Sequence, residues 1–432
     1  MKNKAVLKAV SLLLCFLCLF LCSCNLDFGI TPETTDAEET ENVTPGFAGI
    51  GVKTGAYNGL FDGIMQINVT LGEAELSTIT DHADSEIYCE CDVTVGKETV
   101  NRAAIKPRGN TSYVTASGSG RYSFKLKFDK YVKGQRLSGL DELYLNNLSY
   151  DPSCVREYLA YALFSLNSGI SAPLATFAKV YINGEYYGLY SAVEAVDGSF
   201  LKRTYGENDG DLYKAGSGSA FLSDDTSTFT LERGQNTSLS KVSDIYKAVI
   251  FGEETEQTID VNSILRYAAV MAVVCGQESY LGAKAENYYL YAEPDGEVSI
   301  IPWDLKTAFG VNLSERKSGY AIDDTLIEAS VTEPYFGLDA EDRPLVSKLL
   351  ENEEYKAKYL SYVKFYNDAL SEMLPKLADL KEAIDAAVSE DTNRFFSADT
   401  YEAEFEDGNN SLYGFIKARC ENVKSQLAAL GE

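Results

Sequence analysis

Apolar and polar positions alternate with a period of two along residues 62–72 and 86–100, and β-branched residues are frequent there, so both stretches predict strands. The next segment, AAIKPRGNTSYVTASGSGRYSFKLKFDK, reads as two strand-like runs around a Gly/Ser-rich connection holding Gly109, Gly118 and Gly120. LDELYLNN, residues 140–147, is another short strand. The period then becomes helical. Asp151-Pro152-Ser153 supplies a helix start, and Val155, Leu159, Ala162, Leu163 and Leu166 recur at helical spacing, with Glu157 off that stripe. Residues 177–195 predict a hairpin about Asn183-Gly184, the dipeptide a type I′ turn favours. FLKRTYGENDGDLYKA is expected as a loop plus a strand, and Gly216 to Thr230 as a flexible insert. Helical spacing returns over Ser243–Phe251, Val261–Val274 and from Leu345 to the C-terminus. The expected fold class is α+β, with a β-rich N-terminal half and a mostly helical C-terminal half.

Within the C-terminal half, residues 275–310 read CGQESYLGAKAENYYLYAEPDGEVSIIPWDLKTAFG. An acid, Glu278, is followed by an amide, Asn287. Two short strands, Tyr288–Tyr291 and Val298–Ile301, turn at Asp295-Gly296, and a second acid, Asp304, follows Pro302-Trp303. Protein kinases present their machinery in this order: an acid that orients the acceptor hydroxyl, then an amide and an acid that hold magnesium on ATP phosphates. A plain hairpin with polar ends shares the order, so the rest of the chain must decide.

The N-terminus changes the picture of where the chain works. Lys2, Lys4 and Lys8 precede an apolar run from Ala9 to Leu21, too short for a stable membrane span, and Leu21-Cys22-Ser23-Cys24 resembles a bacterial lipobox. Residues 1–23 are therefore expected to be a lipoprotein signal peptide, with Cys24 lipidated and the chain held outside the cytoplasmic membrane. Residues 24–48, acidic and Thr-rich, are expected to be a disordered tether, leaving 49–432 for the fold. The formal charge is −27 overall. Such a field repels nucleic acid, so a nucleotide needs a local basic pocket. Five cysteines beyond Cys24 have scattered spacing that suggests neither a disulfide framework nor a zinc site, and the single histidine, His82, comes with no GxSxG.

Several stretches together resemble the spore-coat-protein-H-like (CotH) kinase family over about residues 60–430. They are RGNTS at 108–112, SFKLKFDK at 123–130, LNNLSYDPSCVREYLAYALF at 145–164, VYINGEYYGLYSAVEAVDGSFLKR at 180–203, and ENYYLY with IIPWDLKTAFG within 286–310. The resemblance implies an atypical, two-lobed kinase-like fold, with an N-lobe over about 60–215, a C-lobe over about 235–432 and nucleotide between them. It implies ATP and Mg2+ as cofactors and a surface or secreted protein as substrate. Lys125 or Lys127 looks like the lysine that neutralises phosphates; the two share a strand face, and Lys125 is favoured. Glu157 looks like its helix partner, and Arg108 to Ser112, including Asn110, like a nucleotide-proximal loop. Asn287 and Asp304 look like magnesium ligands, and Glu278 like the catalytic acid.

Three positions depart from the family pattern: Glu278 stands where Asp is expected, Glu286 where His is expected, and Lys306 where an acid is expected. Two readings follow. One is an ATP/Mg-dependent Ser/Thr kinase tethered outside the membrane, with nucleotidyl transfer as a variant. The other is a non-catalytic pseudokinase serving as a surface-binding or structural lipoprotein.

Overall fold

A computed structural model describes residues 44–109, 119–166, 171–294, 296–312, 320–408 and 410–431. The signal, lipobox and most of the tether, and Asn110 with the rest of the Gly/Ser-rich connection, lie outside the described residues.

Alternation in the N-terminal half builds seven strands: β1 (Met65–Thr70), β2 (Cys89–Val95), β3 (Glu98–Arg108), β4 (Ser123–Lys127), β5 (Glu142–Asn146), β6 (Ala175–Ile182) and β7 (Glu185–Glu194). They close in the order β1-β2-β3-β4-β5-β7-β6, with β6 returning parallel to β1. Inward residues such as Ile67, Val93, Ile105, Phe124, Leu126 and Leu143 are buried in a core of their own. The fold is thus α+β as expected, but its N-terminal part is a closed barrel and not the kinase-like lobe that the resemblance implied.

Two local readings are corrected. Residues 86–100 form a hairpin, because Gly96 takes φ +59° and reverses the chain between β2 and β3. The segment after β7 begins with a helix, where Asp197 caps the N–H groups of Ser199 and Phe200. The turn at Asn183-Gly184 has positive φ at both residues, as type I′ requires.

The helices that matter are α1 (Glu73–Asp81), α2 (Arg156–Ser165), α3 (Gly198–Tyr205), α4 (Ser240–Phe251) and α5 (Val261–Val274), then α6 (Pro344–Leu350), α7 (Glu353–Met373), α8 (Leu377–Glu390), α9 (Ala398–Ala403) and α10 (Leu412–Leu430). A second sheet, antiparallel, has the order β11-β10-β8-β9, from β8 (Asp211–Ala215), β9 (Phe229–Arg233), β10 (Tyr288–Ala292) and β11 (Val298–Pro302). The stretch expected as a flexible insert therefore runs into an edge strand, and β8 pairs with the C-terminal hairpin.

Helix α2 starts at Arg156, later than the Asp151-Pro152 signal. Asp151 still serves it, accepting from the Arg156 N–H at 2.8 Å. Every residue from Arg156 to Phe164 is buried, so this helix has no solvent face. Arg156 is neutralised in the interior by Asp151 at 2.7 Å and Glu404 at 2.8 Å. A second buried pair, Arg121–Asp391, ties the start of the β4 region to the residue just after α8. The five cysteines Cys89, Cys91, Cys154, Cys275 and Cys420 are free.

Candidate functional site

Strands β3, β4 and β5 send alternate side chains inward to the barrel core and outward to a polar wall. Register sets Lys106 opposite Lys125, Lys125 opposite Tyr144, and Lys127 opposite Glu142. Glu142 carries both lysines, with Lys125 Nζ 2.5 Å from Oε2 and Lys127 Nζ 2.5 Å from Oε1. The Tyr144 ring is shared by two cations, Arg108 at 4.4 Å and Lys125 at 5.2 Å, and packs edge-on against Trp303 at 4.9 Å. Burial opposes charge on Lys125, but Tyr144 and Glu142 outweigh it and hold the ammonium above its ordinary pKa.

The expected lysine–glutamate pair between β4 and the helix is not formed. Lys125 belongs to Glu142, while Glu157 accepts twice from Asn146 Nδ2, at 3.0 and 2.9 Å. Asn146 Oδ1 accepts in turn from Arg108 Nη1 at 2.6 Å. Glu157 is thus linked to Arg108 through an amide. At 2% exposure it is a buried acid, although it lies off the apolar stripe of α2. Burial raises its pKa, and the nearby Asp304 adds to the rise.

The opposite side is the end of the β10–β11 hairpin. Asn287 precedes β10 and Asp304 follows β11, and the Trp303 N–H donates to the Asn287 carbonyl at 3.2 Å, which brings the two ends together. Both residues have left-handed backbone, φ +60° and +55°, uncommon outside glycine, although Asn and Asp tolerate it best. Asn287 Nδ2 donates to the Glu278 carbonyl at 3.0 Å. Glu278 Oε2 accepts from Thr307 Oγ1 at 3.2 Å, and its Oε1 lies 3.9 Å from Lys284 Nζ. Lys284 is closer to Glu286, at 3.2 Å. Asp304 Oδ2 is 2.8 Å from Lys306 Nζ.

Wall, helix and hairpin end enclose one cleft of about 650 Å3. Arg108, Lys125, Glu157, Glu278, Asn287 and Asp304 all line it; Lys127 does not. Six cations border it, Lys106, Arg108, Lys125, Lys214, Lys284 and Lys306, together with seven carboxylates, so the lining is mixed in charge and not the purely basic pocket that a nucleotide would favour. Mg2+ is held by oxygen atoms and is usually shared between one or two carboxylates, waters and substrate phosphates. One carboxylate, Asp304, beside one amide, Asn287, fits that habit. Among the described residues no group of three His, Cys, Asp or Glu side chains gathers to hold a metal without phosphate oxygens.

Sequence reasoning missed Glu142, Tyr144 and Asn146. The signal was present in ELYLN, where the three polar positions fall on one strand face opposite the face that carries Leu143 and Leu145. It also missed Asp151–Arg156–Glu404, which nothing local in the sequence signals, since Glu404 is 248 residues from Arg156.

A cleft with cations on one wall and a carboxylate–amide pair facing them has the make-up of a site for a phosphorylated ligand. A family model described as CotH kinase protein matches residues 105–423, and the chain belongs to that family. Inner spore coat protein H of Bacillus subtilis (strain 168) is 25% identical over 330 residues, spanning 69% of this chain and 82% of that protein. Invasin CotH7 of Rhizopus delemar is 24% identical over 250 residues, spanning 54% of this chain and 40% of the invasin. The family match begins within β3, so it covers the cleft from Lys106 to Lys306 and omits β1 and β2.

Proposed function

We propose that this protein transfers the γ-phosphoryl group of ATP, with Mg2+, to Ser or Thr hydroxyls of surface or secreted proteins, outside the cytoplasmic membrane. The observation that carries the reading is the meeting of Glu278, Asn287 and Asp304 with Arg108 and Lys125 in one cleft. Family membership supports it. So do the relatives' names, one a spore coat protein and the other an invasin.

The residues divide the work. Arg108 and Lys125 neutralise phosphate charge from the barrel wall, and Glu157 aims Arg108 through Asn146. Asp304 and Asn287 would hold magnesium, which when bound screens the polyphosphate from the surrounding acids. Glu278 orients the acceptor hydroxyl and receives its proton as the new O–P bond forms and the bond between γ-phosphorus and the β–γ bridging oxygen breaks, leaving ADP. The Thr307 hydroxyl donates to the Glu278 carboxylate and restricts where the longer side chain can place it.

The test is transfer of labelled γ-phosphate from Mg-ATP to a Ser/Thr-rich acceptor protein. Glu278→Gln should bind Mg-ATP like the parent and lose at least about a hundredfold in transfer. If the parent binds no nucleotide with any divalent ion, the reading fails and a non-catalytic surface role replaces it. The anchor is tested separately. Cys24→Ala should release the protein from the membrane fraction, and unchanged retention would exclude lipidation at Cys24.

A further inference from the structure

Glu157, Glu278 and Asp304 are among the carboxylates that line the cleft. Lys306 stands among them. Its ammonium is 2.8 Å from Asp304 Oδ2, and its side chain is about a quarter exposed, on the same lining. The neighbouring Leu305 is buried and fixes the backbone between Asp304 and Lys306. Of the other cations on the lining, Lys106 pairs with Glu86, Arg108 donates to Asn146, Lys125 pairs with Glu142 and Lys284 with Glu286, whereas Lys306 pairs with Asp304, which the proposed site assigns to the metal.

We infer that Lys306 is a built-in cation of the phosphate site, neutralising Asp304 before nucleotide arrives and donating to a phosphate oxygen afterwards, so that nucleotide binding uses one divalent ion and tolerates its removal. This rests on the nucleotide reading above. An ammonium has three donors and no acceptor, so it can hold Asp304 and a phosphate oxygen at once. A fixed positive charge between carboxylates also removes the repulsion that would otherwise make polyphosphate binding wholly metal-dependent.

The experiment titrates ATP into the purified protein by calorimetry, with Mg2+ and with EDTA, and counts bound Mn2+ by electron paramagnetic resonance. The variants are Lys306→Gln and Lys306→Asp, with thermal midpoints confirming their fold. The parent should keep affinity in EDTA within about tenfold of its Mg2+ value and bind one Mn2+ per nucleotide. Lys306→Gln should lose about tenfold or more in EDTA, the scale of one charge-assisted hydrogen bond, and less with Mg2+. Lys306→Asp should bind a second Mn2+. The inference is overturned if the parent binds two ions, if its binding vanishes in EDTA, or if Lys306→Gln binds in EDTA as the parent does. If the parent binds nucleotide under no condition, the phosphotransfer reading fails first and this inference with it.

Discussion

The two sides of the cleft are made in different ways. The barrel wall is a product of strand alternation: Lys125, Lys127, Glu142 and Tyr144 point outward because Leu126, Leu143 and Leu145 must point inward. Its polar groups satisfy one another: Lys125 and Lys127 share Glu142, and Arg108 donates to Asn146. The hairpin end places Asn287 and Asp304 in left-handed conformations, where the Asn287 amide donates to the Glu278 carbonyl and the Asp304 carboxylate pairs with Lys306. Strained backbone is sustained only where surrounding structure over-determines it, and it concentrates at sites of function. The wall supplies charge that many side chains share, whereas the hairpin end supplies a few atoms whose positions cannot be exchanged.

Substitutions should reveal that difference. The largest loss is expected at the hairpin end: Asp304→Asn keeps the size, removes the charge, and should abolish the gain in ATP affinity that Mg2+ brings, up to about tenfold, with the fold intact. Calorimetry with and without Mg2+ checks it, and parent-like affinity would remove Asp304 from the metal assignment. On the wall, Glu142→Ala leaves the Lys125 ammonium without its carboxylate and Lys127 with Asp129 alone, 3.3 Å away. It should cost about 1–3 kcal/mol of stability, allowing for the lysines' partial exposure, while Glu142→Gln should cost less than half as much. Chemical denaturation measures both.

A pH effect follows at the far end of the wall. Asp197 has one oxygen bonded to Ser199 and Phe200 and the other without a hydrogen-bond partner. Burial pushes its pKa from 3.8 up to about 7 even though the Ser199 bond pulls it down, and Glu142 and Asp141 add to the rise. The native chain therefore holds a proton that the unfolded chain has lost between those values, and stability falls as pH rises through that window. Thermal midpoints at pH 4.5 and 7.5 should differ less in Asp197→Asn than in the parent; an equal difference would assign the slope to other groups. The smallest effect is expected from Lys127→Ala. This residue lies outside the cleft lining, so Mg-ATP affinity should stay within about twofold and stability within about 1 kcal/mol. A tenfold affinity loss would move the phosphate site toward Lys127.

Much of the wall could be read from the sequence because a period of two assigns a face to each residue. The Asn183-Gly184 turn was equally legible, since two residues decide it, and the strands β10 and β11 pair as their apolar runs suggested. Glu157 was not. A helical stripe separates core from solvent only when one face meets solvent, and α2 is covered on all sides. The partner of Lys125 was also missed, because register between β4 and β5 depends on a connection whose length the pattern does not constrain. Barrel closure was beyond any local signal, since it joins strands more than a hundred residues apart.

That closure dictates an order of events. β1 pairs with β2 across a connection that holds α1, but its other edge pairs only with β6, matching Met65 to Ala178 and Val69 to Ile182. A chain emerging N-terminus first therefore carries an open strand edge until residue 182 has appeared. Such an edge invites pairing with other chains. The cleft wall on β3, β4 and β5 belongs to the same unclosed sheet throughout that interval, so the ligand-facing surface takes its final curvature only when the last barrel strands arrive.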